Sequence, residues 1–285
     1  MYVVVTPVRD EEKYIESTIK SMLSQTVTPA QWIIVNDGSG DRTGEIIDKC
    51  AAEIPWVRAY HRADRGHRLS GGGVMEAFHD GYRSLTRDNW KFLVKLDADL
   101  SFSDDYFERA LRHFADQPTL GIGGGTLYHM INGKETVEVV PRFHVRGATK
   151  IYRRRCWDEI DGLWRGPGWD MIDEVTANML GWTTASFPEL RVMHHRYTGT
   201  GDTSWREACK NGRGSYCSGY HPLYLAARCC YLLFRKPYLI GSLGMGYGYL
   251  TGYLRGLPRI NNTKMIEYLR KQQLARLCGA KSIWK

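Results

Sequence analysis

Two aspartates, Asp97 and Asp99, directly follow the apolar run of residues 92–96. In extended backbone, residues two apart lie on the same face, so both carboxylates would point to one side. Carboxylate oxygens bind hard divalent cations and leave coordination positions for phosphate oxygens. An Asp-x-Asp sequence is also common by chance in loops. Its position at the end of a predicted strand, where open α/β sheets bind ligands, favours a metal site.

Another carboxylate, Asp37, follows a second apolar run at residues 32–36 and precedes Gly38 and Ser39. A carboxylate beside free backbone N–H groups can bind the edge of a nucleobase. Asp-Gly is equally an ordinary turn sequence, so the motif alone leaves both interpretations open.

A basic, glycine-rich stretch covers residues 62–73 and includes Arg68 and Gly71. It leads into a segment with apolar residues at helical spacing. Backbone amides at a helix start, together with cationic side chains, favour binding of a diphosphate. The Gly-Lys-Ser/Thr ending of a P-loop is missing, so the stretch predicts a phosphate-binding loop of another kind.

The elements that would position these groups alternate along the first 128 residues. Short apolar or β-branched runs alternate with segments of helical period, which predicts an α/β fold with a Rossmann-like, mostly parallel sheet flanked by helices. The predicted strands are residues 2–6, 32–36, 57–61, 92–96 and 120–124. Because the carboxyl ends of parallel strands lie at one edge of a sheet, we expect the polar clusters to meet there.

The order of these clusters, which begins with Thr6 and Pro7 after the first strand, resembles the successive motifs of family 2 glycosyltransferases with the GT-A fold. The resemblance covers roughly the first two hundred residues. It implies an inverting transferase that uses a nucleotide-diphosphate-sugar donor, expected to be a UDP-sugar, and a divalent cation, Mg²⁺ or Mn²⁺. It assigns the donor nucleotide to Thr6, Pro7, Arg9, Glu11, Asp37, Asp64, Arg68, Gly71 and Asp97, and the metal to Asp97 and Asp99.

The family places its catalytic base in an acidic pair about eleven residues before a Gly-aromatic pair, here Gly181 and Trp182. Counting back reaches Asp170, although Trp169 stands where the other acid of the pair is expected. The resemblance therefore implies Asp170 as the base, and the acids that follow it would share one face of a helix with it. These acids are Asp173 and Glu174. An acidic first helical turn without catalytic function is the alternative.

A histidine at the end of the last predicted core strand completes the expected site. The sequence around His194 resembles the family's Val-x-His element, which implies that this imidazole completes the metal shell. Neutral imidazole is a plausible ligand beside two carboxylates.

Composition places limits on the protein and its surroundings. The chain has 285 residues, a formal net charge of +8 and 43% hydrophobic residues, which is sufficient for a full core and favours anionic partners. Seven cysteines without CxxC spacing predict neither a disulfide framework nor a zinc site. The N-terminus shows no signal-peptide pattern, so we expect a location in the cytoplasm, at the cytoplasmic face of the membrane.

A change in composition predicts two parts. Residues 1–204 are expected to form the catalytic domain, with a nucleotide-binding half at 1–128 and an acceptor half at 129–204. In the acceptor half, the patterns predict strands at 136–143 and 191–194 and a helix at 170–180 that Gly181 ends.

The remaining residues, 205–285, are expected to form a helical, partly amphipathic tail. Residues 237–254 carry no charge and are flanked by basic residues. Frequent glycines and tyrosines favour an interfacial or re-entrant arrangement over a membrane span, and ordinary packing against the catalytic domain stays an alternative. Gly244, Gly248 and Gly252 lie four apart, which permits close helix packing.

The expected activity is transfer of a sugar to a hydroxyl of a glycan or a lipid-linked acceptor. Two alternatives remain at this point: a sugar-phosphate nucleotidyltransferase, and a noncatalytic protein that binds nucleotide sugars or nucleic acid. The absence of a nucleic-acid-binding motif disfavours a nucleic-acid partner. Peripheral membrane contact and a homo-oligomer are consistent with the sequence.

Overall fold

The computed structural model describes residues 1–66, 72–131, 133–196 and 204–284. The described chain forms two compact units. The first comprises Met1–Gly162 and Leu180–Arg196, and the second comprises Leu163–Met179 and the described part of Tyr197–Lys285.

The first unit is built on one mixed sheet. The strands are β1 Tyr2–Val8, β2 Gln31–Asn36, β3 Val57–His61, β4 Phe92–Leu96, β5 Leu100–Phe102, β6 Leu120–Ile131, β7 Lys134–Val137, β8 Thr149–Arg153 and β9 Thr183–His194. Among the described residues the strand order is β3-β2-β1-β4-β8-β6-β9-β5, and β7 pairs with β6. The strands β3, β2, β1 and β4 are mutually parallel, β8 is antiparallel to β4, and β9 is parallel to β6.

Helices cover this sheet because each carries an apolar stripe. β1 and β2 are buried along their whole length, as expected for parallel strands covered on both faces. The stripes of the first and fourth helices contribute residues such as Ile15, Met22 and Phe107 to the core. The helices of this unit are α1 Ile15–Leu23, α2 Thr43–Glu53, α3 Gly72–Arg83, α4 Tyr106–Asp116 and α5 Arg154–Glu159.

The predicted α/β architecture is confirmed, and β3 and β4 have the predicted bounds. β6 continues past the predicted end at residue 124 to Ile131. The glycines of this strand weaken its apolar pattern in the sequence. Glycine is required at position 124, because a Cβ there would lie 2.1 Å from the carbonyl oxygen of Thr149. β9 begins at Thr183 rather than at residue 191 because polar residues and a register shift interrupt its apolar pattern.

One further expectation about strands was wrong, and two strands were not predicted. The predicted strand at 136–143 is only the end of β7, which stops at Val137 before a segment that contains Pro141. β5 and β8 were not predicted, because three residues are too few for a periodic signal and β8 contains the charged residues Lys150 and Arg153.

The second unit is helical. The predicted helix at 170–180 is observed at Trp169–Met179, and Gly181 follows with a φ of +92°. Tyrosines, leucines and methionines such as Tyr220, Tyr249, Leu269 and Met245 form its core. The helices are α6 Trp169–Met179, α7 Ser204–Cys217, α8 Pro222–Leu233, α9 Ile240–Leu254 and α10 Thr263–Leu277.

Close packing of α9 along a glycine face is confirmed. A Cβ on Gly248 would lie 2.1 Å from the carbonyl oxygen of Cys209 in α7, and a Cβ on Gly244 would lie 2.6 Å from Cβ of Ala208. Glycine therefore allows the two backbones to approach each other.

None of the described helices combines the length and the apolar composition that crossing a bilayer requires.

Candidate active site

The ends of β1, β2 and β3 lie side by side at one edge of the sheet. After β2 the chain turns at Asp37, whose N–H donates a hydrogen bond to the carbonyl of Val8 at 2.8 Å. Gly38 has a φ of +70°, and a Cβ at this position would lie 2.5 Å from Cα of Asp64. Glycine therefore allows the loop after β3 to contact the turn after β2.

Arg9 connects these two loops to the end of β1. It donates to the carbonyl of Asp37 at 2.7 Å and to the carboxylate of Asp64 at 2.8 Å. Three predicted nucleotide contacts from three loops are thereby brought together. Arg68 and Gly71, which were also predicted to contact the nucleotide, lie outside the described residues.

Two arginines that the motifs did not assign individually bind the carboxylate of Asp37. Arg62 and Arg65 each contact one of its oxygens. Arg62 also contacts Asp80 at 2.8 Å, and Arg65 contacts Glu76 at 2.9 Å. Both of these acids belong to α3, so the loop after β3 is tied to this helix. The two guanidinium groups lie beside the predicted nucleotide turn, where they suit a phosphate ligand.

Three predicted contacts from the first strand and its loop are largely buried. Thr6 is 1% exposed, and its hydroxyl accepts a hydrogen bond from the indole N–H of Trp32 at 2.8 Å. Pro7 is buried within β1. The carboxylate of Glu11 contacts the guanidinium of Arg196 at 2.5 Å. The Thr6 hydroxyl already has a partner inside the sheet, and a nucleotide contact by these three residues stays a prediction.

Asp97 contacts a buried lysine of the strand that precedes it. The ammonium of Lys95 contacts a carboxylate oxygen of Asp97 and donates to the carbonyl of Gly147 at 2.6 Å. The N–H of Asp97 donates to the carbonyl of Ala148 at 2.8 Å, which fixes the turn after β4. Lys95 was not predicted, because one lysine in an apolar run gives no signal of a buried ion pair.

Asp99 and His194 form the second pair. β5 and β9 are antiparallel with Leu100 opposite His194, which brings Nε2 of His194 to 3.1 Å from Oδ2 of Asp99. Burial raises the pKa of Asp99, but the hydrogen bond and charge of His194, with Arg196, lower it overall. Burial lowers the pKa of His194, but the same interactions with Asp99 raise it overall. The structure therefore favours the charged form of both groups.

The chemistry of these side chains fits a divalent cation. Two carboxylates and one imidazole in its neutral form make a donor set that suits Mg²⁺ or Mn²⁺, and within the described part of the chain Nδ1 of His194 is buried without a hydrogen-bond partner. Among the described residues, however, no three His, Cys, Asp or Glu side chains are grouped so as to hold a metal ion. Asp97 pairs with Lys95, whereas Asp99 and His194 are in direct contact.

Arg196 interacts both with a residue predicted to bind the nucleotide and with one predicted to bind the metal. Besides its ion pair with Glu11, it donates to the carbonyl of Asp10 at 3.2 Å and lies 5.8 Å from the ring centroid of Tyr14. It also contributes to the lowered pKa of Asp99. The Val-x-His motif covers residues 192–194, and it assigns no role to Arg196 two residues later.

The three acids predicted for catalysis all lie on α6, in the second unit. Asp170 is half-buried in the first turn of this helix, whereas Asp173 is 2% exposed and Glu174 is fully buried. A carboxylate oxygen of Asp173 accepts a hydrogen bond from the N–H of Glu174 at 2.8 Å. Of the three, Asp170 is the acid most open to an incoming ligand.

Comparison with solved structures identifies the class to which this architecture belongs. The mannosyltransferase PcManGT from Pyrobaculum calidifontis, in complex with GDP-Man and Mn²⁺, aligns with a TM-score of 0.54 and 16% identity over 99% of this chain and 76% of that chain. TarS residues 1–349 from S. aureus, in complex with UDP, align with a TM-score of 0.55 and 13% identity over 98% of this chain and 91% of that chain. The fold is that of a GT-A glycosyltransferase.

The sequence profile described as glycosyl transferase family 2 matches residues 3–166, and the chain belongs to this family. The uncharacterized glycosyltransferase EpsJ of Bacillus subtilis is 30% identical over 47% of this chain and 36% of its own length. The polyprenol monophosphomannose synthase of Mycolicibacterium smegmatis is 28% identical over 45% of this chain and 53% of its own. The chain thus matches about half or less of these relatives. Family membership decides among the three predicted classes in favour of a glycosyltransferase.

Proposed function

We propose that the protein transfers a sugar, with inversion of configuration, from a UDP-sugar to a hydroxyl of a glycan or of a lipid-linked acceptor. The observation that carries this proposal is the joining of two clusters at one sheet edge. Arg9, Asp37 and Asp64 form the first, and Asp99 and His194 form the second. Arg196 pairs with Glu11, two residues after Arg9, and its charge helps to lower the pKa of Asp99. A nucleotide and the cation on its diphosphate need such neighbouring sites.

The donor nucleoside would bind at the turn that contains Asp37. Arg62 and Arg65 hold its carboxylate in place, and each also pairs with an acid of α3. Bidentate guanidinium groups suit phosphate oxygens, so these arginines would bind the donor diphosphate as well as orient Asp37. The UDP in the TarS complex supports a uridine nucleotide. Because PcManGT is in complex with GDP-Man, a guanosine nucleotide is the alternative donor that an experiment should compare.

Asp99, His194 and Asp97 would hold a divalent cation. A bound Mg²⁺ or Mn²⁺ would supply Lewis-acid neutralisation of the charge that develops on the leaving diphosphate. Asp99 and His194 already lie in contact, while Asp97 would have to exchange the ammonium of Lys95 for the ion. The Mn²⁺ in the PcManGT complex supports manganese as the first ion to test.

Asp170 would act as the general base. Its carboxylate would take the proton of the acceptor hydroxyl while the hydroxyl oxygen attacks the anomeric carbon from the face opposite the diphosphate. One glycosidic bond forms as the bond from the anomeric carbon to the diphosphate oxygen breaks, so the configuration inverts without a covalent intermediate. The exposure of Asp170, compared with buried Asp173 and Glu174, supports this choice. These two acids would shape the helix around the base.

The reaction would take place on the cytoplasmic side of a membrane. All seven cysteines are free thiols, which suits a reducing compartment. A growing glycan or a lipid-linked acceptor would be presented to the enzyme at that surface.

A thermal-shift screen tests donor and cation together. UDP-sugars are expected to raise the melting temperature in the presence of Mn²⁺ and to have little effect with EDTA, because a ligand stabilises the native state that binds it. GDP-mannose with Mn²⁺ is the matched comparison, and a larger shift with it would replace UDP in the proposal. No shift with any nucleotide sugar and Mn²⁺ would contradict a donor site. The Asp99→Asn variant should lose the dependence on Mn²⁺.

A further inference from the structure

The second unit contains a long segment without any acid. Residues 208–266 contain no Asp or Glu but eight Lys and Arg residues, a number that equals the net charge of the whole chain. They are Lys210, Arg213, Arg228, Arg235, Lys236, Arg255, Arg259 and Lys264. This segment covers all of α8 and α9. Every charged side chain of this segment, with histidine taken as neutral, is therefore positive, which favours an anionic partner.

One face of α9 packs inside the unit. Gly244, Gly248 and Gly252 face α7, where a Cβ would lie between 2.1 and 2.6 Å from its atoms. Met245 and Tyr249 are buried beside them. The position of α9 on the unit is thus fixed by close backbone contact.

The other face of α9 is apolar and exposed. Leu243 is 60% exposed, Tyr247 50%, Leu250 62% and Leu254 85%. These four residues recur at helical spacing, so they form one stripe along the helix. A stripe of leucines at this level of exposure marks an interaction surface rather than a solvated helix face.

Exposed apolar side chains also occur in the loop before α9 and on α8, which packs against α9. Every residue from 234 to 240 is exposed, including Phe234 at 80% and Leu239 at 57%. Tyr231 and Leu223 on α8 are exposed as well, at 55% and 64%. Arg235 and Lys236 lie within the same loop. We call the exposed side chains of residues 223–254 the apolar-basic face.

We propose that the apolar-basic face docks on the surface of a phospholipid bilayer that contains anionic lipids. Exposed leucines and phenylalanine would enter the boundary between headgroups and acyl chains, and tyrosines would lie at headgroup level. Arg235, Lys236 and Arg255 are exposed at the two ends of α9, where they would contact anionic headgroups. This proposal does not depend on the identity of the donor or of the base.

Charge decides between a bilayer and a second copy of the chain. Two copies that met through this face would bring together two surfaces without a single acid, and like charges at an interface disfavour association. An anionic lipid surface is complementary to both the apolar stripe and the cations around it.

Flotation of the full chain with lipid vesicles tests the proposal. We expect the protein to float with vesicles of phosphatidylcholine and phosphatidylglycerol, and to float much less with phosphatidylcholine alone or at high salt. The double variant Leu243→Gln/Leu250→Gln should weaken binding by about tenfold or more, since two apolar side chains no longer enter the lipid. Arg235→Gln/Lys236→Gln should weaken binding by about fivefold per residue on anionic vesicles only.

Matched variants on the first unit provide the control. Met130→Gln/Val139→Gln also replaces two strongly exposed apolar residues, at 56% and 87%, and should leave flotation unchanged. A wild-type protein that stays in solution with anionic vesicles at low salt would overturn the proposal. Equal losses in the test and control pairs would overturn it too, because binding would then be nonspecific. Light scattering could instead show a dimer that the Leu243→Gln/Leu250→Gln variant separates into monomers. With no lipid binding, that result would assign the face to a second copy of the chain.

Discussion

Charged side chains are arranged differently in the two units. In the first unit the charged side chains at the sheet edge are paired: Asp37 binds two arginines, Asp97 binds Lys95, and Asp99 binds His194. In the second unit residues 208–266 carry eight cations and no acid, and tyrosines, leucines and methionines form the hydrophobic core. Paired charges position polar groups for chemistry, whereas exposed cations around an apolar stripe suit a surface contact.

The largest expected effect tests whether an acid of the second unit takes part in the chemistry. Asp170→Asn should lower the rate of sugar transfer by about a hundredfold to ten-thousandfold, because an amide cannot take the acceptor proton. Single-turnover assays with a fixed donor measure this loss. Donor affinity, measured by calorimetry, should be nearly unchanged. A variant with normal turnover would remove Asp170 from the mechanism and leave the chemistry to the first unit alone.

Chelation tests the paired acids of the first unit. EDTA should reduce transfer by at least about a hundredfold, since the charge on the leaving diphosphate is no longer neutralised, and Mn²⁺ should restore it. Asp99→Asn and His194→Gln should resist this rescue. His195→Gln is the matched control, because this neighbouring histidine is exposed and contacts Ser101 instead. Full activity in EDTA would show that the Asp99–His194 pair is structural.

The Asp37 cluster tests whether paired charges bind the nucleotide. Asp37→Asn should weaken binding of the donor nucleotide by about ten- to a hundredfold, because a hydrogen bond to a charged group is lost and two arginines lose their partner. Asp64→Asn, at a carboxylate that is 58% exposed, should cost less. Isothermal calorimetry with UDP and with GDP gives both affinities. Equal affinity in wild type and Asp37→Asn would place the nucleoside elsewhere.

The same comparison shows which features sequence can predict. β3 and β4 were predicted with the correct bounds because each is a compact apolar run with clear ends, and the turn at Asp37 and Gly38 is a local pattern. Distant partners gave no such signal. Lys95 donates to the carbonyl of Gly147 and Arg196 pairs with Glu11, and each of these contacts joins segments far apart in the chain. Pairings of this kind are fixed by the tertiary fold and leave no periodic pattern.

The tail was predicted only in outline for a related reason. Its glycines and tyrosines lower the apolar signal of α9, yet the four-residue spacing of Gly244, Gly248 and Gly252 predicted the packing that is observed. The face opposite the glycines could not be assigned from the sequence, because a helix with glycine on one side and leucine on the other has two apolar faces. Contact with α7 decides which one is buried.

A pair of glycine variants sharpens the description of the second unit. Gly248→Ala should lower its stability by about 1–3 kcal/mol, because the new Cβ would lie 2.1 Å from the carbonyl oxygen of Cys209 and the helices must separate. Gly246→Ala adds the same methyl group where nothing lies within 4 Å, and should raise stability by about 0.5–1 kcal/mol. Thermal unfolding measures both. Changes of the same sign would show that α9 does not pack on α7 through its glycine face.

The smallest expected effect is the contribution of a buried tyrosine of the second unit to the loss of stability at high pH. Burial raises the pKa of Tyr220 from 10.0 to about 12. A phenol whose pKa is raised by folding contributes stability that is present below pH 10 and is lost as the pH rises towards 12, because the unfolded state ionises first. Near pH 11 this loss should be about 1 kcal/mol. Tyr220→Phe removes the ionisable group, so its melting temperature should fall less steeply between pH 9 and pH 11 than that of wild type, whereas the exposed Tyr231→Phe should follow wild type. Parallel curves for Tyr220→Phe and wild type would mean that the tyrosine core of the second unit opens to solvent before the chain unfolds.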